Sequence, residues 1–242
     1  MTSRAHRSFK SGVFNPQPGS ITSEIYNTAS TSVSLVLPAR RAGDRLIIFI
    51  NRSSASSDAI ATPASITALE TSSLTGSASN FCRAYYHDVT KQNEGINTVT
   101  FTGGTSTLST SLIIKITGSD LTIVPVANGV AQGSNTTTVD PASLTGPESG
   151  AIQRTIYIAY VGTSNQDVTL GTSPAVTVFP TGYTNTGTST TTDVSASNGC
   201  GQGWGIKIVT SAGSDNPSAW TYCPTGTGRA FAINVAVKAV VG

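Results

Sequence analysis

Few residues in this chain have the types and spacing that chemistry requires. His87 is followed directly by Asp88, and with 32 serines and two histidines a Ser-His-Asp set is easily imagined. Nucleophilic catalysis of that kind needs the carboxylate to hold the imidazole while the imidazole faces the hydroxyl. Adjacent strand residues point to opposite faces, so Asp88 is badly placed to orient His87, and no G-x-S-x-G elbow occurs. Glycoside hydrolysis needs two carboxyls converging across a cleft. The 12 acidic residues are scattered singly, mostly beside turns (Asp44, Asp120, Asp140, Asp167, Asp215), without D-x-D or EF-hand spacing. Asp44 reads as a turn residue accepting from local backbone N–H groups. Cys82, Cys200 and Cys223 lack C-x-x-C spacing, and an odd count argues against a secreted disulfide scaffold. All three read as small buried apolar residues, although Cys200 and Cys223 could face each other across two strands. No catalytic residue, metal or other cofactor is expected.

Three stretches suit binding better than catalysis. Arg4, Arg7 and Lys10 crowd the first ten residues with His6, and no acid appears before Glu24. They read either as a solvated terminus or as an arm that docks on an acidic neighbour, where opposite charge speeds encounter and fixes register. In Gly199-Cys200-Gly201-Gln202-Gly203-Trp204-Gly205 a strand's alternation puts Gly199, Gly201, Gly203 and Gly205 on one face and Cys, Gln and Trp on the other. The spacing is not G-x-G-x-x-G, so it is no phosphate cradle. A bare glycine face admits close packing by a strand or bulky ring of the same sandwich, or by a second subunit near a symmetry axis. Finally, Tyr183 with Asn185 is the one modest candidate for sugar contact, the alternative being that Tyr183 covers the sandwich edge.

The elements that position these residues follow from composition. Ser and Thr make up 69 of the 242 residues, and charged residues only 11%, against about 25% in an ordinary soluble domain. Thr, Val, Ile and Gly favour short strands joined by turns, so helical bundles, coiled coils and disordered tails are excluded. Net charge is +2, too mild for a nucleic-acid footprint. No apolar run approaches 18 residues, so no membrane span is expected, and the first twenty residues lack the apolar core of a signal peptide. The sequons at Asn51 and Asn135 read as chance products of a Thr/Ser-rich chain.

Residues 1–30, with Pro16, Pro18 and Gly19, read as an extended arm. Strands are expected at 32–37, 46–50, 84–86, 98–101 and 112–116, and again at 155–161, 204–209, 220–222 and 231–237, the last being the cleanest period-two alternation. The two sets match in order. Pro63-x-x-x-Thr67 corresponds to Pro180-x-x-x-Thr184, Phe101 to Trp220, Ile114 to Ile233 and Ile47 to Ile156, at offsets of 109 to 119. The expectation is an all-β, jelly-roll-like sandwich over residues 31–242. Its two similar sheets would be built from halves at about 31–127 and 150–242, with 128–150 as the crossover loop. Each half alone would leave a sheet face wet.

Several of these residues resemble a known pattern. Leu37-Pro38 followed by Ala42-Gly43-Asp44-Arg45-Leu46-Ile47-Ile48 is similar to the opening of a jelly-roll type found among virion structural proteins of tailed bacteriophages. A P-x-G-[WY]-T turn follows there, which Pro180-Thr181-Gly182-Tyr183-Thr184 fits and Pro63 to Thr67 keeps only at its ends. Tyr85-Tyr86, Thr98 to Phe101 and Ile113 to Ile116 resemble its later strands. The resemblance implies a non-enzymatic virion protein assembled in the host cytoplasm, partnered by the major capsid protein or other virion proteins. A capsid decoration protein, self-associating with a trimer as one form, is the first expectation. A tail or fibre module binding host surface glycan is the alternative. A hydrolase of envelope polymers would need the acid pair that the sequence lacks.

Overall fold

The computed structural model describes residues 17–53, 60–70, 80–91, 95–147, 154–165, 175–191, 199–210, 213–222 and 228–238. Arg4, Arg7, Lys10 and Cys223 lie outside them. The first half contains β1 (Gln17–Val36), β2 (Arg45–Ser53), β3 (Thr67–Glu70), β4 (Asn80–Asp88) and β5 (Thr98–Thr117). The second contains β6 (Val126–Thr136), β7 (Thr138–Val139), β8 (Leu144–Thr145), β9 (Thr155–Asn165), β10 (Val176–Val178), β11 (Thr184–Thr190), β12 (Cys200–Val209), β13 (Ser214–Asp215), β14 (Trp220–Tyr222) and β15 (Gly228–Lys238). The fold is all-β and sandwich-like, and no helix occurs among the described residues.

Two five-stranded antiparallel sheets carry it, in the orders β1-β5-β2-β4-β3 and β11-β12-β9-β15-β6. The second order, reversed, is the first with each strand replaced by its counterpart, so the halves share one topology. Their inner faces meet with β2 against β9, β5 against β12, β4 against β15, β1 against β11 and β3 against β6. Exchanging the halves maps this set of pairs onto itself. The starts of β2 and β9 lie at the same end, since the Asp120 amide, next to Arg45, donates to the Lys238 carbonyl (3.0 Å). At the far end Asn51 of β2 reaches the Thr163 carbonyl of β9. The internal two-fold therefore runs along the strands.

Period-two alternation sorts the side chains. Ile47, Phe49, Leu112 and Ile114 face Ile158, Tyr160, Ile206 and Ile233 in a buried apolar layer. At its centre the Phe49 and Tyr160 rings stack, 4.2 Å between centroids and 8° between planes. The outer face of each main sheet is covered as well. Leu46, Ile48, Ile50, Tyr85 and Ile113 pack under Val33, Leu35, Val99 and Phe101 of the same half. Tyr157, Ala159, Val161 and Ala232 pack under Val139, Val176 and Trp220. Each half folds a smaller layer over its own main sheet, making four layers. In the first half the β1–β5 ribbon bends over, with register shifts between Tyr26, Ser30 and Ser32. Buried Arg52 holds that corner, donating from Nη1 to the Gly103 carbonyl (2.9 Å) and from Nη2 to that of Ser30 (2.7 Å). In the second half the same ribbon is broken, and β10, β14 and β7 form a separate sheet.

Three boundaries differ from expectation. Residues 17–30 are not a free arm: they pair along β5 as an edge strand, where Pro18 is tolerated. Residues 128–147 are not a loop but hold most of β6, with β7 and β8. Asn128-Gly129 reads as a turn yet pairs with Asn234 and Ile233. The halves join instead at 118–125. The turn equivalence is geometric: the Ile66 amide donates to the Pro63 carbonyl (2.9 Å) and the Tyr183 amide to that of Pro180 (3.4 Å). Ile47 and Ile156 do not share a register with the other matches, because Ile47 lies opposite Ile114 whereas Tyr160 lies opposite Ile233. A shift by an even number keeps the face, so sequence alternation alone does not reveal it.

Truncating Phe49 removes the central ring of the inter-sheet layer. Phe49→Ala is expected to cost about 3–5 kcal/mol. Both halves should still melt in one transition, read by denaturant unfolding monitored through near-UV and far-UV signals. Loss of one half with the other intact would contradict the shared core.

Candidate functional site

At the end of the sandwich where β2 and β9 start, the 37–44 turn and the ends of β4 and β5 bring polar side chains together. Asp44 is buried and its carboxylate accepts from the Arg41 amide (3.0 Å), capping the turn as expected, with Gly43 at φ +92°. Arg45, fully buried, grips the Asp88 carboxylate through Nε and through Nη2 (2.9 Å), and its Nη1 donates to the Ile123 carbonyl (2.8 Å). Its guanidinium also lies over the Tyr86 ring, 5.4 Å from the centroid. A charge so buried is stable only with such partners. His87 points the other way, its Nδ1 2.7 Å from the Ser65 carbonyl. The structure thus separates His87 from Asp88, as strand alternation predicts, and Ser65 offers a carbonyl oxygen rather than a hydroxyl.

Between these groups lies an open cleft of about 450 Å³ lined by Ser65, Thr67, Tyr86, His87, Asp88 and Lys91 among others. Beside it is a hollow of about 300 Å³ lined by Arg40, Arg41, Asp44, Lys115 and Thr117. Charged and hydrogen-bonding groups on a rigid rim suit recognition of a polar surface. Among the described residues, no cluster of three or more His, Cys, Asp or Glu could hold a metal.

The sequence candidates for contact sort differently. Gly199, Gly201, Gly203 and Gly205 are all buried. A Cβ on Gly203 would meet Val176 (3.0 Å) and Trp220 (3.2 Å), and one on Gly205 would meet Tyr183 (2.9 Å). At Gly203 and Gly205 the bare face is filled by rings and a strand of the same half, the first of the two readings. Tyr183 is likewise buried, and its hydroxyl donates to the buried Asp215 carboxylate, which also takes the Lys207 ammonium at 2.6 Å. Burial first, then the bond to Asp215, push the Tyr183 phenol far above its ordinary range. This ring cannot serve as a sugar platform; only Asn185, exposed at φ +49°, faces solvent. Ile66 takes the equivalent core position in the first half.

Sequence reading missed the polar residues that join the sheets. Asn51, read as a chance sequon, is fully buried and donates from Nδ2 to the carbonyls of Gly201 (2.9 Å) and Thr163 (3.1 Å) across the interface. Gln202 accepts from the Tyr160 hydroxyl (3.0 Å) and donates to the Ser111 carbonyl (2.8 Å). Their one signal is a polar residue within or beside an apolar strand run. Cys82 and Cys200 are buried, as expected.

No family model, no curated protein and no solved structure matches the chain.

Two measurements follow from this geometry. Gly203→Val should cost about 1–3 kcal/mol by overpacking against Val176 and Trp220, with the light-scattering mass unchanged. A lost oligomer at unchanged stability would restore the subunit contact. Burial also raises Tyr160 well above its usual range and Tyr85 from 10.0 to about 12. A raised folded value means that stability is fully present below pH 10 and is lost as pH climbs through the folded values. Denaturation midpoints should fall steeply between about pH 10 and 12, and a flat profile there would contradict the buried phenols.

Proposed function

We propose that the protein is a non-enzymatic structural component of a phage virion, most simply a capsid decoration protein that binds the shell and associates with copies of itself. One observation carries the reading. The cationic segment with Arg4, Arg7 and Lys10 runs directly into an edge strand whose Gln17 to Tyr26 pair along β5. An arm rooted in a rigid sheet edge can reach a neighbour while its base stays fixed, which lowers the ordering cost of docking. The composition agrees: with 11% charged residues, close-packed copies repel one another little. The motif residues Asp44, Leu46 to Ile48 and Tyr183 serve the fold, so the resemblance supports architecture and context rather than a reaction. Glycan binding through Tyr183 loses its aromatic contact to burial.

The reading is tested by deleting residues 1–16, which leaves β1 whole. The truncated protein should keep its circular dichroism and melting temperature but no longer cosediment with shells purified without it. Undiminished cosedimentation would sink the arm; absence of the full-length protein from purified virions would sink the virion reading.

A further inference from the structure

We propose that the outer layer of the second half, made of β7, β8, β10, β13 and β14, is a latched cover that opens as a unit while the layer between the two main sheets stays closed. The inference goes beyond the decoration reading and does not rest on it.

Two observations set this layer apart, and a third gives it reason to open. The first is connectivity. In the first half the outer layer is built from the same two strands that run in the main sheet, with Val33 to Val36 paired to Thr98 to Phe101. That layer cannot lift without bending a strand pair that continues into the sheet below. In the second half β10, β14 and β7 pair with one another and β13 with β8, and neither small sheet joins the β11-β12-β9-β15-β6 sheet. Each of these strands is only two or three residues long.

The second observation is the floor beneath. On the outer face of β9 and β15 lie Ala159, Ala230, Ala232 and Ala236 with Tyr157 and Val161. The first half has Leu46, Ile48, Ile50, Tyr85 and Ile113 there. Smaller side chains bury less apolar surface, and adhesion scales with that surface.

The third is Asn234. It stands between Ala232 and Ala236, and alternation aims it at the cover because Ile233 and Val235 belong to the inner layer. It is fully buried, and neither its amide oxygen nor its amide nitrogen has a hydrogen-bond partner. Trp220 of β14, also fully buried, leaves its Nε1 without one. Burying such groups unpaired is unfavourable, and the penalty vanishes when water reaches them. The closed cover carries that penalty and the open one does not.

The latch is at β13. The Tyr157 hydroxyl of β9 donates to the Gly213 carbonyl (2.7 Å), and the Lys207 ammonium of β12 meets the Asp215 carboxylate at 2.6 Å. Both tethers run from the main sheet to the cover. Sub-global opening of a weakly attached unit is the ordinary way in which part of a fold moves while the rest holds.

Native-state hydrogen exchange on the full chain, read by mass spectrometry at low denaturant, tests this. Peptides covering 138–145, 176–178 and 214–222 should exchange with one shared dependence on denaturant. They should do so at least about tenfold faster than β9, β15 and the paired segments 33–36 and 98–101. Asn234→Leu replaces the amide by an apolar group of similar size, and should slow exchange of the cover at least about fivefold while leaving the first half unchanged. Lys207→Met removes one tether at a partly exposed position, and should speed the cover about two- to fivefold. Cover peptides as slow as β9 and β15, unrelated denaturant dependences, no slowing in Asn234→Leu, no acceleration in Lys207→Met, or equal changes in every protected peptide would each overturn the proposal. Should Asn234→Leu fail to fold, the wild-type comparison and Lys207→Met still decide.

Discussion

The structure depends on the apolar layer between two equivalent five-stranded sheets. β2 and β9 lie on the internal two-fold, and the Phe49–Tyr160 stack sits between them. Each sheet presents a full inner row of Ile, Val, Phe and Leu that only the other half covers. At about 25 cal/mol per Å² of apolar surface removed from water, this layer is the largest single reason for the halves to stay together. The outer layers are local by comparison, since each half supplies its own.

Polar residues then fix how the halves meet. An apolar layer alone tolerates a slide by two residues, because alternation is preserved. Buried hydrogen bonds do not tolerate it: Asn51 reaches Gly201 and Thr163 at one end, and Gln202 links Tyr160 to Ser111 nearby. At the opposite end Arg45 joins β4 to the connection between the halves through Asp88 and the Ile123 carbonyl. A slide would leave these groups buried without partners, at about 1–3 kcal/mol each. Thus the interior is spent on register.

The alternating and continuous apolar runs made β2, β5, β9 and β15 legible, and the ordered match between halves pointed to the repeat. The boundaries of β1 and β6 were not legible. Both are edge strands, where Pro18, Asn128 and Gly129 cost little because one side of the backbone needs no partner. Tyr183, Gly203 and Gly205 were ambiguous for one shared reason: their types suit contact with a ligand or a neighbour, and the contact they make is within their own half of the sandwich.

By itself, the sequence determined the strand class, the face each strand residue takes, the two-fold order of elements, and the local turn chemistry at Asp44. All of these rest on interactions within a few residues or on period-two alternation. Tertiary structure decided the four layers, the register between halves, the burial of Tyr183, and the gathering of polar side chains at one end. These depend on residues as much as 150 positions apart, as with Asn51 and Gly201, and alternation carries no information about which distant strand will lie across the layer.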